Sequence, residues 1–275
     1  MRKVIKKIGK YFISKLYNIR VGEEFIRNSM KKIYCVRHEE HVFKFVTPNN
    51  LNLYRAKTFS TKEPETLEWI DQMDDGSCMW DIGANVGLYT IYAAKHRRCE
   101  VIAFEPSFFN LELLARNIFI NNVVDSITII SSPLNFECGG NQMKFTNTDY
   151  GGAMSAFGAN YGHDGEPLKD IFYYKTYGFS VDQIKDKLSL PQPDWIKMDV
   201  DGIEHLILKG GTDVLKKVKG VLIEINDQFT EQNTESKKIL EGAGLELTEK
   251  RMSPLLRNAK SDLHKNTFNQ IWLRK

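Results

Sequence analysis

The chain has 275 residues and a formal net charge of +3, with 42% hydrophobic and 27% charged residues. This balance is typical of one large globular domain, or one domain with an appendage, and argues against disordered, collagen-like and disulfide-scaffold proteins. No stretch holds the roughly 18 uncharged apolar residues that a membrane span needs. The four cysteines are few and irregularly spaced, which predicts reduced thiols and a cytoplasmic protein.

The first 20 residues carry seven basic side chains and no acidic one, so the rest of the chain has a net charge of −4. Apolar residues recur here every three to four positions, which predicts an amphipathic helix. Such a helix either packs on the main domain or lies on an anionic membrane, where each basic residue contributes about 1 kcal/mol. Because the basic charge is local and no aromatic stacking platform follows it, we expect no nucleic-acid partner.

Residues 33–60 have the pattern of short strands. Apolar and polar residues alternate at 43–45 and at 51–53, and a Pro-Asn-Asn turn signal lies between these runs. Three nearby side chains that bind metals, Cys35, His38 and His41, are one ligand short of a closed site, so we assign no metal. We expect an N-terminal part over 1–60, with the basic helix and these strands, and a main domain over 61–275.

From about residue 62 the chain alternates short apolar runs with helical patterns. The runs lie at 78–82, 101–104, 127–130, 194–200 and 220–225. Repeated strand–helix units predict an α/β fold with a mostly parallel, doubly wound, Rossmann-like sheet. A last run at 269–274 is expected to form a final antiparallel strand. Residues 132–175, rich in Gly, Asn and aromatics, predict an inserted hairpin region near the carboxyl edge of the sheet, where substrates bind.

A glycine-containing loop, Asp81-Ile82-Gly83-Ala84-Asn85-Val86-Gly87, joins the first of these runs to a helix. Glycines let the backbone approach a ligand, and the amides of the helix N-terminus face it. Glu105 ends the next strand, where a carboxylate binds the two hydroxyls of a ribose. The two features together predict a nucleoside cofactor.

The loop does not have the G-x-G-x-x-G pattern that a dinucleotide requires. It places Asp81 where a pyrophosphate would be repelled, but where the amino group and sulfonium charge of S-adenosylmethionine would be favoured. S-adenosyl-L-methionine is therefore the expected cofactor. The alternatives are an NAD-dependent dehydrogenase of Rossmann type and a non-catalytic nucleoside-binding module.

Three segments carry a family resemblance. The residues from Asp81 to Thr90 and the segment Ala103-Phe104-Glu105-Pro106 resemble motifs I and II of class I S-adenosylmethionine-dependent methyltransferases. The segment WIKMDVDGIE at 195–204, followed by Leu208-Lys209-Gly210, is similar to the FkbM-type methyltransferases. Asp201 stands where that family usually has glutamate. The resemblance covers about 75–275 and implies O-methylation, often of a sugar hydroxyl on a glycan, a glycolipid precursor or a secondary metabolite.

The candidate catalytic residues are Asp199, at the end of the fourth strand of the main domain, and Glu204, at the start of the next helix. A hydroxyl nucleophile must lose its proton as the new bond forms, and a placed carboxylate can accept it. Glu204 has the alternative role of stabilising the helix start. The expected cofactor-binding residues are Asp81, Gly83, Ala84, Asn85, Gly87, Glu105, Pro106, Ser107 and Ser132.

Overall fold

The structure is a computed structural model that describes residue 28 and residues 32–253 and 266–275. The basic helix predicted over residues 1–20 lies outside the described residues. No helix in the described part of the chain is long and apolar enough to span a membrane.

The described elements alternate between strands and helices along most of the chain. The strands are β1 (Ile33–His38), β2 (His41–Val46), β3 (Cys78–Ile82), β4 (Glu100–Phe104), β5 (Ile127–Ile130), β6 (Gly139–Phe145), β7 (Ser155–Phe157), β8 (Phe172–Gly178), β9 (Trp195–Met198), β10 (Gly220–Asn226), β11 (Leu245–Arg251) and β12 (Thr267–Arg274). The helices are α1 (Asn50–Lys57), α2 (Pro64–Asp71), α3 (Leu88–His96), α4 (Phe108–Ile120), α5 (Val181–Lys187), α6 (Glu204–Lys209), α7 (Thr212–Leu215) and α8 (Thr230–Gly242).

The main sheet has seven strands in the order β11-β12-β10-β9-β3-β4-β5. β10, β9, β3, β4 and β5 run parallel, and β12 runs antiparallel to both of its neighbours. The predicted α/β fold with a final antiparallel strand is therefore confirmed. The chain proceeds from β3 to β5 in one direction and then returns to β9 on the other side of β3. The carboxyl ends of β3 and β9 form the crevice at this reversal, which is where ligands bind in such sheets.

The central strands are buried on both faces, which explains why they appear in the sequence as unbroken apolar runs. In β3, Trp80 and Ile82 pack into one core cluster, whereas Met79 packs into the other. All five residues of β3 are buried. The alternation places Asp81 on the same face of the sheet as Met79.

A second sheet interrupts the strand–helix alternation. β7, β6 and β8 form an antiparallel sheet in that order, within and just beyond the region predicted as an inserted hairpin. Phe145 of β6 stacks on Tyr174 of β8 at a ring distance of 5.6 Å, and the same Tyr174 donates a hydrogen bond to the carbonyl of Pro106 at 2.8 Å. This contact holds the inserted sheet next to the end of β4.

The structure corrects the strand predicted at 51–53, because these residues belong to α1. The Asn49 side chain accepts a hydrogen bond from the Asn52 amide at 2.9 Å and so caps the helix. β11 was not predicted. It is an edge strand with four exposed positions, so it lacks the apolar run that marks the buried strands. The domain division at residue 60 stays a prediction.

Candidate active site

A first cavity of about 580 Å³ opens at the carboxyl ends of β3, β4 and β9. Five of the predicted cofactor-binding residues line it together with the predicted catalytic Asp199: Gly83, Asn85, Glu105, Pro106 and Ser132. The fold thus brings together residues that are more than 100 positions apart in the chain.

The glycine loop packs directly against the end of β9. Gly83 has φ +87°, and a Cβ built on it would lie 1.9 Å from the carbonyl oxygen of Asp199. The amides of Gly83 and Ala84 both donate to the carbonyl of Phe104 at 3.0 Å. Only glycine fits this position, because both the positive φ and the backbone contact exclude a side chain.

Glu105 connects the glycine loop to the end of β4. Its carboxylate accepts the Asn85 amide at 2.7 Å and the Ser107 amide at 2.8 Å. Burial raises the pKa of Glu105 to about 7. An ionised carboxylate has about four acceptor positions, so the two amides leave acceptor positions free on Glu105, which lines the first cavity.

Asp81 was predicted to contact the cofactor directly, but its carboxylate lies behind the cavity surface. It accepts a hydrogen bond from the Thr90 hydroxyl at 2.5 Å, and the ammonium of Lys197 lies 3.7 Å away. Asp81 is 1% exposed. The Lys197 ammonium thus lies between the carboxylates of Asp81 and Asp199.

A second cavity of about 460 Å³ lies on the other side of the glycine loop. It shares Gly83, Asn85 and Asp199 with the first cavity. Its other lining residues include Arg55, Thr58, Phe59, Lys62, Ala84, Val86, Leu88, Tyr89 and Lys197. Asp199 therefore lies at the junction of two cavities, with a third of its side chain exposed.

Lys197 is a buried cation that fixes this junction. Its ammonium lies 3.6 Å from the Asp199 carboxylate and 5.3 Å from the centre of the Tyr89 ring. Burial opposes the lysine charge, but the carboxylates of Asp199 and Asp81 outweigh it and raise the pKa of Lys197. A permanently charged lysine holds the Asp199 side chain in place.

The predicted catalytic Glu204 is not brought to either cavity surface among the described residues. It is 1% exposed, and its carboxylate accepts the amides of Val200 and Gly202, both at 3.0 Å, and the side-chain amide of Gln232. Burial raises the pKa of Glu204 to about 7. This geometry matches the alternative role, in which Glu204 organises the corner between β9 and α6.

Asp201, which replaces the usual glutamate, lines the first cavity and holds the inserted sheet. Its carboxylate accepts the amides of Met154 at 2.6 Å and Ser155 at 3.3 Å. Burial, reinforced by the nearby Asp199 carboxylate, raises the pKa of Asp201 to about 6. The shorter side chain thus still connects β9 to the insert.

Two predicted residues lie next to the first cavity without lining it. Gly87 precedes α3 at φ +85° and packs against Leu114, and Ser107 precedes α4 and donates its amide to Glu105. Both act on the site by positioning the loop and the carboxylate that line it.

The sequence did not reveal Arg55, Lys62 or Asn110. Arg55 and Asn110 contact the 151–152 turn of the insert, where Arg55 donates to the Gly151 carbonyl at 2.8 Å and Asn110 to the Gly152 carbonyl at 3.1 Å. Asn85 also donates to the Gly152 carbonyl, at 3.0 Å. These contacts join distant segments, so no local spacing could have identified them.

A family model described as the methyltransferase FkbM domain matches residues 81–247, which is more than half of the chain. The chain belongs to the FkbM methyltransferase family. It is also 26% identical over 183 residues to the hexuronic acid methyltransferase AglP of Haloferax volcanii, covering 66% of this chain and 70% of AglP. The predicted methyltransferase activity is therefore confirmed at the level of the family.

Solved methyltransferase structures resemble this FkbM chain more distantly. Precorrin-6y C5,15-methyltransferase from Geobacter metallireducens gives a TM-score of 0.45 at 16% identity, covering 78% of this chain and 87% of that one. TYW2 of M. jannaschii in complex with AdoMet gives a TM-score of 0.44 at 12% identity, covering 89% of this chain and 88% of that one.

Proposed function

We propose that this FkbM methyltransferase transfers the methyl group of S-adenosylmethionine to a hydroxyl of a sugar acceptor. The observation that carries the proposal is the position of Asp199, at the junction of two cavities that share the glycine loop. A methyl transfer needs two ligands that meet at one carbon, and two adjoining cavities provide the space for both.

The first cavity has the chemistry that the cofactor requires. Gly83 contributes backbone to the cavity wall, Glu105 offers a carboxyl group for the ribose hydroxyls, and Ser132 and Pro106 also line the cavity. Bound S-adenosylmethionine supplies a methyl group on a positively charged sulfur. The leaving group is the neutral thioether of S-adenosylhomocysteine, so it does not need to be protonated by an acid.

The protein residues then have three tasks. The walls of the two cavities orient the acceptor oxygen towards the methyl carbon and exclude water, which accounts for much of the rate in displacements of this type. Asp199 accepts the proton of the acceptor hydroxyl as the oxygen–carbon bond forms. Lys197 holds Asp199 from behind at 3.6 Å.

The acceptor is proposed to be a sugar of a glycan, a glycolipid precursor or a secondary metabolite. Two facts support a sugar: membership of the FkbM family and the similarity to AglP, which is named a hexuronic acid methyltransferase. The second cavity adds polar and charged groups beside aromatic ones, Tyr89 and Phe59, a combination that suits a hydroxylated ring.

Calorimetric titration with S-adenosylhomocysteine tests the cofactor, with NADH as the control ligand for a dehydrogenase. We expect micromolar binding of S-adenosylhomocysteine and none of NADH. Transfer of tritiated methyl groups to a panel of neutral and acidic sugar glycosides then tests the acceptor class. A folded protein that binds NADH and not S-adenosylhomocysteine would refute the proposal.

A peripheral contact with the membrane is a separate proposal that rests on the basic pattern of residues 1–20. A cytoplasmic enzyme with such a segment would meet lipid-linked acceptors at the membrane surface. Deletion of residues 1–20 should then abolish sedimentation with anionic liposomes but leave S-adenosylhomocysteine affinity unchanged. Equal sedimentation of both chains would refute it.

A further inference from the structure

Arg55 places a positive charge in the second cavity that no carboxylate among the described residues neutralises. Within residues 32–253 and 266–275, no carboxylate oxygen lies within 4.0 Å of its guanidinium. One of its nitrogens donates to the Gly151 carbonyl at 2.8 Å, and its Nε is buried without a hydrogen-bond partner among those residues. A partly buried and unpaired guanidinium is costly, and a bound anion would offset that cost.

The neighbouring charges are already paired with one another. Lys62 forms an ion pair with Glu63, and Lys197 lies between Asp81 and Asp199. Burial of Glu63 opposes its charge, but Lys62 and Lys197 outweigh it and lower the pKa of Glu63 to about 2. Within the part of the chain that the structure describes, these pairs leave the Arg55 charge without a counter-ion.

Cationic side chains outnumber carboxylates among the described residues that line the second cavity. Three cationic side chains face it, Arg55, Lys62 and Lys197, and Asp199 is the one carboxylate among its described lining residues. A guanidinium presents paired N–H donors that match the two oxygens of a carboxylate.

We propose that Arg55 binds a carboxylate group of a ligand in the second cavity. This assignment rests on the proposed function, which provides two ligands of this chemistry beside Gly83, Asn85 and Asp199. One is the carboxylate of the methionyl part of the cofactor, and the other is the carboxylate of an acidic sugar acceptor. Arg55 would be a binding residue in either case.

The test compares Arg55→Gln with Arg116→Gln, which removes an arginine from the exposed surface of α4, where it pairs with Glu112. The first arm titrates S-adenosylhomocysteine and 5′-methylthioadenosine by calorimetry, because the second ligand lacks the methionyl carboxylate. The second arm titrates methyl glucuronide and methyl glucoside by NMR in the presence of saturating S-adenosylhomocysteine. Thermal unfolding of each variant establishes that it is folded.

We expect Arg55→Gln to weaken one carboxylate ligand by about 10- to 100-fold and to leave its neutral partner unchanged. Loss confined to S-adenosylhomocysteine assigns the site to the cofactor, and loss confined to the glucuronide assigns it to the acceptor. Arg116→Gln should change neither, and Arg55→Lys should retain part of the affinity because it keeps the charge.

The proposal is overturned if Arg55→Gln binds S-adenosylhomocysteine and 5′-methylthioadenosine with the same ratio of affinities as the parent and also binds methyl glucuronide and methyl glucoside with the same ratio as the parent. Failure of both nucleosides to bind the parent protein would instead overturn the proposed cofactor. In that case the two sugars, titrated without a nucleoside, would still decide whether Arg55 binds a carboxylate.

Discussion

Gly83 and Asp199 pack backbone against backbone, so closely that a Cβ on Gly83 would lie 1.9 Å from the Asp199 carbonyl oxygen. One residue belongs to the loop after β3 and the other to the end of β9, the two strands that flank the reversal of the sheet. Their contact fixes the loop, the junction aspartate and both cavities relative to one another.

Gly83→Ala should therefore damage both binding and folding. The methyl group would meet backbone, which cannot rotate away, and alanine is strained by about 1–2 kcal/mol at a positive φ. We expect the affinity for S-adenosylhomocysteine to fall more than tenfold and the free energy of unfolding to fall by more than about 2 kcal/mol. Gly139→Ala is the control, since a Cβ there meets nothing within 4 Å. Parental affinity in Gly83→Ala would contradict this packing.

Asp199→Asn should separate chemistry from binding. The asparagine keeps the size of the side chain but cannot accept the proton of the acceptor hydroxyl, so the methyl-transfer rate should fall by about 10²- to 10⁴-fold. Calorimetry should find S-adenosylhomocysteine affinity within a few-fold of the parent. Asp186→Asn, on the exposed surface of α5, serves as the control. An Asp199→Asn enzyme with full activity would exclude Asp199 as the base.

Glu105 should make the cofactor-free protein less stable as the pH rises from 5 to 7. Folding raises its pKa from 4.5 to about 7 because the group is buried. Between these values the folded protein retains a proton that the unfolded chain has lost. This contribution to stability is therefore complete below pH 4.5 and is lost as the pH rises through 7.

Urea unfolding at several pH values checks this sign. Glu105→Gln removes the titrating group, so the free energy of unfolding of the variant should fall less steeply with pH than that of the parent. Near pH 6 the two slopes should differ by about 1 kcal/mol per pH unit. The variant must be compared with the parent at each pH, because other groups also titrate. Burial lowers the pKa of His205, so this residue makes the folded protein more stable as the pH rises, opposite to Glu105. Parallel pH curves for the two proteins would contradict the raised pKa of Glu105.

The fold and the cofactor loop could be predicted because their signals are local. Strands buried on both faces give continuous apolar runs, and the glycine loop and Glu105 keep a fixed spacing from the strands that carry them. The second cavity could not be predicted, because Arg55, Lys62 and Lys197 come from three separate segments that only the folded chain brings together.

Glu204 and Asp81 illustrate a different limit of the sequence. Both carboxylates follow or end strands at the edge where ligands bind, and both are in motifs of the family. The structure places each of them behind the cavity surface, with hydrogen bonds to backbone amides for Glu204 and to Thr90 for Asp81. Sequence position identifies the edge of the sheet but not the direction in which a side chain points.

The N-terminus of α1 gives the last test, because the strand predicted there proved to be a helix. Asn49 caps this helix through Asn52 and also donates to the Tyr150 carbonyl at 3.0 Å. Asn49→Ala should lower the free energy of unfolding by about 1–2 kcal/mol, measured by urea denaturation. Asn49→Asp keeps the capping oxygen and should recover most of this loss. Asn50→Ala, at the exposed first position of the helix, should change stability by less than about 0.5 kcal/mol. Equal effects of the two alanine substitutions would mean that the cap does not stabilise the helix that carries Arg55.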